Sequence, residues 1–210
     1  MALGLSIPLG VWAARRARKW DGVAITVLSQ IGIAIPSFLA AILLVAWFAV
    51  RLKWVPANGW SVPSEDFGGF VARLILPVIS LGIVQAAIMT RYVRSAVLDV
   101  MDEDFMRTAR AKGLSPGQAL MAHGLRNAAL PVLTVTGLQI TNLLIGAVVI
   151  EKVFVIPGLG SMLLQAVTDR DLPTVQTIVM VLVIFAVVVN AMVDVAYAVV
   201  DPRTRSEVTA

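Results

Sequence analysis

The sequence predicts an all-α integral membrane protein, a polytopic helix bundle with about five transmembrane segments and a helix-turn-helix loop on one side. Three observations predict it. Apolar residues make up 59% of the 210, well above the roughly 45–50% of soluble domains. Charged residues are only 14%, against about 25% in such domains. The apolar residues also come in long uncharged runs rather than as periodic stripes, so the expected solvent is lipid. The chain contains no cysteine and a single histidine, His123. That rules out disulfides and a cysteine nucleophile, and argues against a zinc site of the His/Cys type. His123 is expected to be structural. The net charge of +4 would suit nucleic acid, but its placement points elsewhere.

The first apolar stretch, Met1–Ala14, is short and is followed by Arg15, Arg16, Arg18 and Lys19. A secretory signal would carry its cations before the apolar run, so the expectation is a start inside a longer parent sequence. Val23–Val50 is uncharged but interrupted at Ile35-Pro36, where proline predicts a kink. The segment Arg51–Gly69, with Pro56, Gly59, Pro63, Gly68 and Gly69, reads as an irregular loop. Leu74–Thr90 is the next span, closed by Arg73 and Arg91. Pro131–Ile150 follows, with Pro131 read as a first-turn proline whose missing N–H costs nothing. After a Pro/Gly-containing loop at Glu151–Pro173, the last span is Thr174–Val193, continuing through Asp194 to Val200. Trp54, Trp60 and Tyr197 stand near span ends, where amphipathic rings favour the interface.

The basic residues sort by side. Arg15, Arg16, Arg18, Lys19, Arg91, Arg94, Arg107, Arg110, Lys112, Arg126, Arg203 and Arg205 fall on one side, and Arg51, Lys53, Arg73, Lys152 and Arg170 on the other. The positive-inside bias therefore places residues 15–19, 91–126 and 201–210 in the cytoplasm, including the C-terminus.

The loop at Asp99–Leu130 has a design of its own. Acidic Asp102-Glu103-Asp104 opens a helix, and its cations gather toward the end. Gly113 suits the left-handed position just past that end. Ser115-Pro116-Gly117-Gln118 supplies a serine cap, a proline at the first helical position and a glutamine three residues after the cap. Leu114 and Ala119 stand where a hydrophobic staple would. The second helix is expected to run to Ala129, with the next span opening at Leu130-Pro131. The loop reads either as a solvated amphipathic hairpin or as a docking element. For docking, the small residues Ala109, Ala111 and Gly113 beside a basic face would let another protein approach closely.

The run Asp104-Phe-Met-Arg-Thr-Ala-Arg-Ala-Lys-Gly-Leu114, with His123-Gly-Leu-Arg-Asn-Ala-Ala-Leu-Pro131, resembles the cytoplasmic loop of ABC-importer permeases of the dipeptide/oligopeptide/nickel class. The family pattern is Glu-Ala-Ala, three residues, Gly, then a distal apolar-X-Leu-Pro. Here it reads Arg107-Thr108-Ala109, Gly113 and Leu130-Pro131. The arginine in place of glutamate is similar to the peptide-type branch. Ser6-Ile-Pro-Leu-Gly10, Glu151-Lys-Val-Phe-Val-Ile-Pro-Gly-Leu-Gly160 and Asn190-Ala-Met-Val-Asp-Val-Ala-Tyr197 leading to Asp201-Pro-Arg203 agree with that branch. The resemblance implies a permease domain over residues 1–201, lacking the family's first span and external segment. It would carry a coupling loop at 99–130 and a cytoplasmic tail at 202–210. It implies the cytoplasmic (inner or plasma) membrane, separate ABC ATPase subunits, a second permease subunit (a heterodimer) and an extracytoplasmic solute-binding protein, with no nucleic acid. Arg107, Thr108, Ala109, Arg110, Ala111, Lys112 and Gly113 would form the ATPase-coupling segment, with Gly113 the turn. The solute would be a peptide or a similar small molecule such as a nickel chelate.

No G-x-x-x-x-G-K-[ST] phosphate loop occurs in the sequence, so a motor would be another chain, with ATP and Mg bound there and no cofactor here. Gln139, Asn142 and Gly146 share one face of their span and are read first as a helix seam, with a solute-lining face as the other reading. Asn190 and Asp194 pose the same question near the end of the last span, and Asp194 would alternatively pair with a loop arginine. The rival reading is a secondary, ion-coupled transporter. It calls for ionisable pairs at midplane or an inverted repeat, and neither is evident. The chain carries no Ser/His, paired-Asp or metal-ligand constellation at plausible depth, so no enzyme is expected.

Overall fold

The computed structural model describes residues 1–200, and every regular element among them is helical. The elements are α1 (Ala2–Arg15), α2 (Trp20–Ala34), α3 (Ser37–Leu44) with a π-helical continuation Val45–Arg51, and α4 (Phe67–Asp102). Next come α5 (Asp104–Ala111), α6 (Pro116–Ala119) continuing through a π-helical turn Leu120–Gly124 into α7 (Leu125–Phe154), then α8 (Leu159–Thr168) and α9 (Leu172–Val200). The expected features at Asp201-Pro202-Arg203, Arg205 and the tail 202–210 lie outside the described residues.

Among the described residues, three helical runs are long and apolar enough to cross a membrane: Phe67–Asp102, Pro116–Phe154 and Leu172–Val199. Trp20–Ala34 with Ser37–Arg51 makes a fourth if it counts as one broken span, and α1 is a shorter apolar helix. The break falls at the expected proline, since Pro36 is extended (φ −59°, ψ 142°) and caps α3 from outside. Only 6% of the most apolar window of Leu172–Val199 is buried. A helix that leaves so much apolar surface open is a membrane helix, not a core helix.

Two expectations need correction. Pro131 is not in a first turn: it lies inside α7, and the helical run that contains it begins at Pro116. The second helix of the loop is therefore the start of the span itself and does not stop at Ala129. Pro131 has no N–H to give the Asn127 carbonyl, so the helix runs through it one backbone bond short. Beside it, both Thr134 Oγ1 (3.3 Å) and the Tyr197 hydroxyl (2.7 Å) donate to the Leu130 carbonyl. The span expected at Leu74–Thr90 is likewise the middle of α4. Arg73 does not end it, because its guanidinium donates to Ser61 Oγ and to the Gly69 carbonyl (3.1 Å).

The described residues divide into two compact units, residues 1–33, 85–139 and 189–200, and residues 34–84 and 140–188. In the first unit, the α1–α2 turn is locked at Asp21, which accepts from Arg16 (2.8 Å) and from Trp12 Nε1 (3.1 Å). The core of this unit is Ala14, Val93, Ala96, Val97, Met106, Ala109, Ala119, Leu120 and Ala128, drawn from α1, α4, α5, α6, its π-helical turn and α7. In the second unit, Ala41, Leu76, Ile150 and Phe154 pack together with Phe48 and Val55 at the edge. The irregular stretch is Leu52–Asp66, shorter than the expected Arg51–Gly69 because Arg51 closes the π-helical turn and Gly68 and Gly69 lie in the first turn of α4. Trp60 packs edge-on against Phe70 at 5.1 Å. Asp171 caps α9: the Thr174 hydroxyl and N–H both donate to its carboxylate, which holds its pKa below the ordinary value of 3.8.

Candidate functional site: the α5–α6 hairpin

The hairpin between α4 and α7 is built from three local devices. The first is the start of α5. Asp104 stands in its first turn, and Arg107 reaches back to it (3.2 Å, both side chains exposed). Glu103 occupies the cap position but makes no side-chain cap bond, so the acidic cluster acts through its charge near the dipole. The second is the turn. Gly113 sits at φ +92°, its N–H donates to the Arg110 carbonyl (2.9 Å), and the Leu114 N–H reaches the Ala109 carbonyl (3.3 Å). Those two bonds are the Schellman pattern, and the left-handed residue it needs is the expected glycine. The third is the capping box of α6. Ser115 Oγ accepts from the Gln118 N–H (3.4 Å), while the Ser115 N–H donates to Gln118 Oε1 (3.0 Å). Leu114 packs against the core cluster to which Ala119 belongs.

Burial then divides α5 into two faces. Met106 (1% exposed) and Ala109 (7% exposed) enter the core with Val93, Ala96, Val97 and Ala128. Arg107, Thr108, Arg110, Ala111, Lys112 and Gly113 are exposed. Ala109 therefore does not belong to the approach face expected for it. Its small side chain lets α5 lie close on its own chain, and Ala111 and Gly113 remain outside. The i, i+3 spacing of Met106 and Ala109 is a sequence signal for this buried face that the basic residues obscure.

Beside α5 is a cleft of about 430 Å³ lined by residues of both arms of the hairpin, among them Phe105, Lys112, Leu114, His123 and Arg126. His123 is exposed there, and its carbonyl accepts from Asn127 Nδ2 (3.2 Å). Arg15, at the end of α1, lays its guanidinium over Gly117, where a Cβ would stand 2.6 Å from Nη2. The hairpin is thus apolar underneath and cationic outside, and it is continuous with two membrane spans.

Asn190 faces Gly137, where a Cβ would lie 3.5 Å from Asn190 Oδ1, and Val193 stands beside it at 3.3 Å. That is a close α7–α9 seam inside the first unit. Gln139 is half-buried and belongs to the first unit, whereas Asn142 is exposed and belongs to the second; both make polar interactions. Gly146 packs against Leu81 of α4 at 3.1 Å. Asp194 is exposed on α9.

Residues 6–206 match the family described as binding-protein-dependent transport system inner membrane component. The chain is 41% identical over 205 residues to the oligopeptide transport system permease protein AppB of Bacillus subtilis, covering 97% of this chain and 65% of that protein. It is 42% identical over 210 residues to a Brucella abortus protein whose name places it among peptide transport system permeases, covering 98% of this chain and 67% of that protein. The chain thus spans about two thirds of the length of these curated relatives. A match over nearly the whole chain, joined to a polytopic helical architecture, means that the chain belongs to the family of binding-protein-dependent transport system inner membrane components.

Proposed function

We propose that the chain is the membrane-spanning permease subunit of an ATP-driven, binding-protein-dependent importer. Its cargo is peptides or a similar small solute such as a nickel chelate. The permease domain is residues 1–201, residues 99–130 are the cytoplasmic coupling loop, and the tail is 202–210. Within that loop Arg107 to Gly113 is the segment gripped by a separate ABC ATPase, which carries the ATP and Mg. A second, different permease subunit completes the pathway, and a solute-binding protein delivers cargo from outside.

The observation that carries this reading is the packing of α5. A loop needed only for topology could float in solvent. This one buries Met106 and Ala109 against α4 and the start of α7 while leaving a cationic face free. A push on α5 is therefore delivered to two spans at once. Closure of an ATPase pair around ATP would shift the docked hairpin and bias the spans between two packed states, provided that the motor binds those states unequally. The names of relatives such as the oligopeptide permease of Bacillus subtilis support the peptide class of cargo.

The test uses the cysteine-free chain. Ala111 is exposed on α5, so Ala111→Cys in the full transporter is expected to crosslink to the co-expressed ATPase. If no ATPase crosslinks or co-purifies while proton-driven uptake persists, the chain is an ion-coupled carrier instead.

A further inference from the structure

The segment Glu151–Gly160, at the corner between α7 and α8, carries a charged side chain that the coupling reading does not use. α7 ends at Phe154, and Val155 then turns left-handed at φ +54°. That conformation is unusual for a β-branched residue and persists only where its surroundings hold it. Ile156 closes the turn by donating its N–H to the Glu151 carbonyl (2.9 Å). α8 opens three residues later, at Leu159.

The Glu151 side chain reaches over this turn. Its Oε2 accepts the N–H of Ser161 at 2.7 Å, one of the amides in the first turn of α8 that has no partner within the helix. Ser161 Oγ accepts the Gly158 N–H (2.9 Å), and its hydroxyl lies within reach of the Ile156 (3.0 Å) and Gly158 (2.9 Å) carbonyls. The carboxylate also fills the space where a side chain at Gly158 would be. A Cβ there would stand 2.2 Å from both the Glu151 carboxyl carbon and its Oε1. Two residues on, a Cβ at Gly160 would lie 2.7 Å from Val148 Cα, so α8 runs back against the α7 backbone.

We propose that Glu151 is the positioning residue of this corner: its carboxylate caps α8 through Ser161 and packs into the gap left by Gly158, clasping α8 onto α7. Two features of the motif are then parts of one device. Glutamate has the length to cross the turn, and glycine seven residues later is the vacancy that receives it. A negative group also complements the positive end of the α8 dipole. The clasp holds the strained Val155 in place and fixes where α8 presents Leu159, Met162 and Val167, all exposed. Its role in transport rests on the importer reading, in which the positive-inside orientation puts this corner on the face that receives the delivery protein.

The experiment compares Glu151→Ala, Glu151→Gln, Gly158→Ala and Gly158→Ala with Glu151→Ala, each in the assembled transporter. Amide exchange is read in the first turn of α8 alongside uptake and ATPase co-purification. Glu151→Ala is expected to speed exchange at Ser161 about fivefold, the factor a typical cap contributes. Glu151→Gln, which keeps an acceptor oxygen at the same reach, is expected to remain within about twofold of the parent. Gly158→Ala evicts the carboxylate and is expected to loosen α8 at least as much as Glu151→Ala. The double variant is expected to be no worse than Glu151→Ala alone, because the clash is gone. Uptake is expected to fall in Glu151→Ala while the ATPase still co-purifies, whereas loss of the ATPase from the parent complex would count against the importer reading and not the clasp. Unchanged exchange in Glu151→Ala would overturn the proposal, as would additive loosening in the double variant. If Glu151→Ala does not accumulate, Gly158→Ala probes the clasp with Glu151 intact, and normal exchange there overturns it equally.

Discussion

Gly113 is the one residue of the proposed coupling segment whose identity is dictated by the backbone. At φ +92° it has nothing within 4 Å of the position a Cβ would take, so any penalty on substitution is conformational and not steric crowding. Gly113→Ala should therefore lower the stability of the turn by about 1 kcal/mol, the order of the left-handed penalty for an L-residue. Gly113→Asn should lose less, because asparagine tolerates that region better. Exchange of the Leu114 amide, which closes the turn onto Ala109, measures the difference directly. Equal exchange in the parent and both variants would remove the argument that the turn is built around its glycine.

Among the elements, α5 depends on one anchor more than any other. Met106 is 1% exposed and lies in the core with Val97, Leu120 and Ala128. Met106→Ala removes that anchor and leaves a cavity, a change that typically costs about 2–5 kcal/mol. The cost should appear as local release of α5, seen as faster exchange across Asp104–Ala111, with the membrane spans unaffected. ATP-driven uptake should fall even though every cation on α5 is still present. Uptake that survives α5 release would mean that the hairpin does not transmit force. What was legible at this scale follows from range. The Schellman turn and the capping box are contacts within six residues, and the types and spacing of Gly113, Ser115 and Gln118 announce them. The run of helix from Pro116 into the span is hidden because Pro131 reads as a start, whereas a proline inside a long membrane helix forgoes only the one backbone bond its N–H would have made to Asn127. The inward turn of Ala109 depends on what packs beneath it, and the Glu151–Ser161 bond crosses a loop whose course no local propensity fixes.

At the scale of the whole molecule, the chain has helices long and apolar enough to span a membrane and no phosphate-loop motif in its sequence. Any work it does on a solute at the expense of ATP enters through a surface, and the exposed cationic face of α5 is the surface joined by packing to two spans. Replacing Arg107, Arg110 and Lys112 together by Glu tests that joint without touching the core, since all three are exposed. The loss of the Arg107–Asp104 pair is a minor term, because an exposed pair contributes at most about 1 kcal/mol. Topology should hold as well, because Arg15, Arg16, Arg18 and Lys19 beside α1, Arg91 and Arg94 in α4 and Arg126 in α7 still bias the same side toward the cytoplasm. The expected outcome in an intact assembly is a properly inserted permease that binds its ATPase at least tenfold more weakly, about 1.4 kcal/mol or more, and loses ATP-driven uptake. Raising the salt should weaken the parent complex in the same direction, because exposed charges are screened over about 8–10 Å at physiological ionic strength. If the charge-reversed permease imports solute at the parent rate, the motor grips the chain somewhere other than α5.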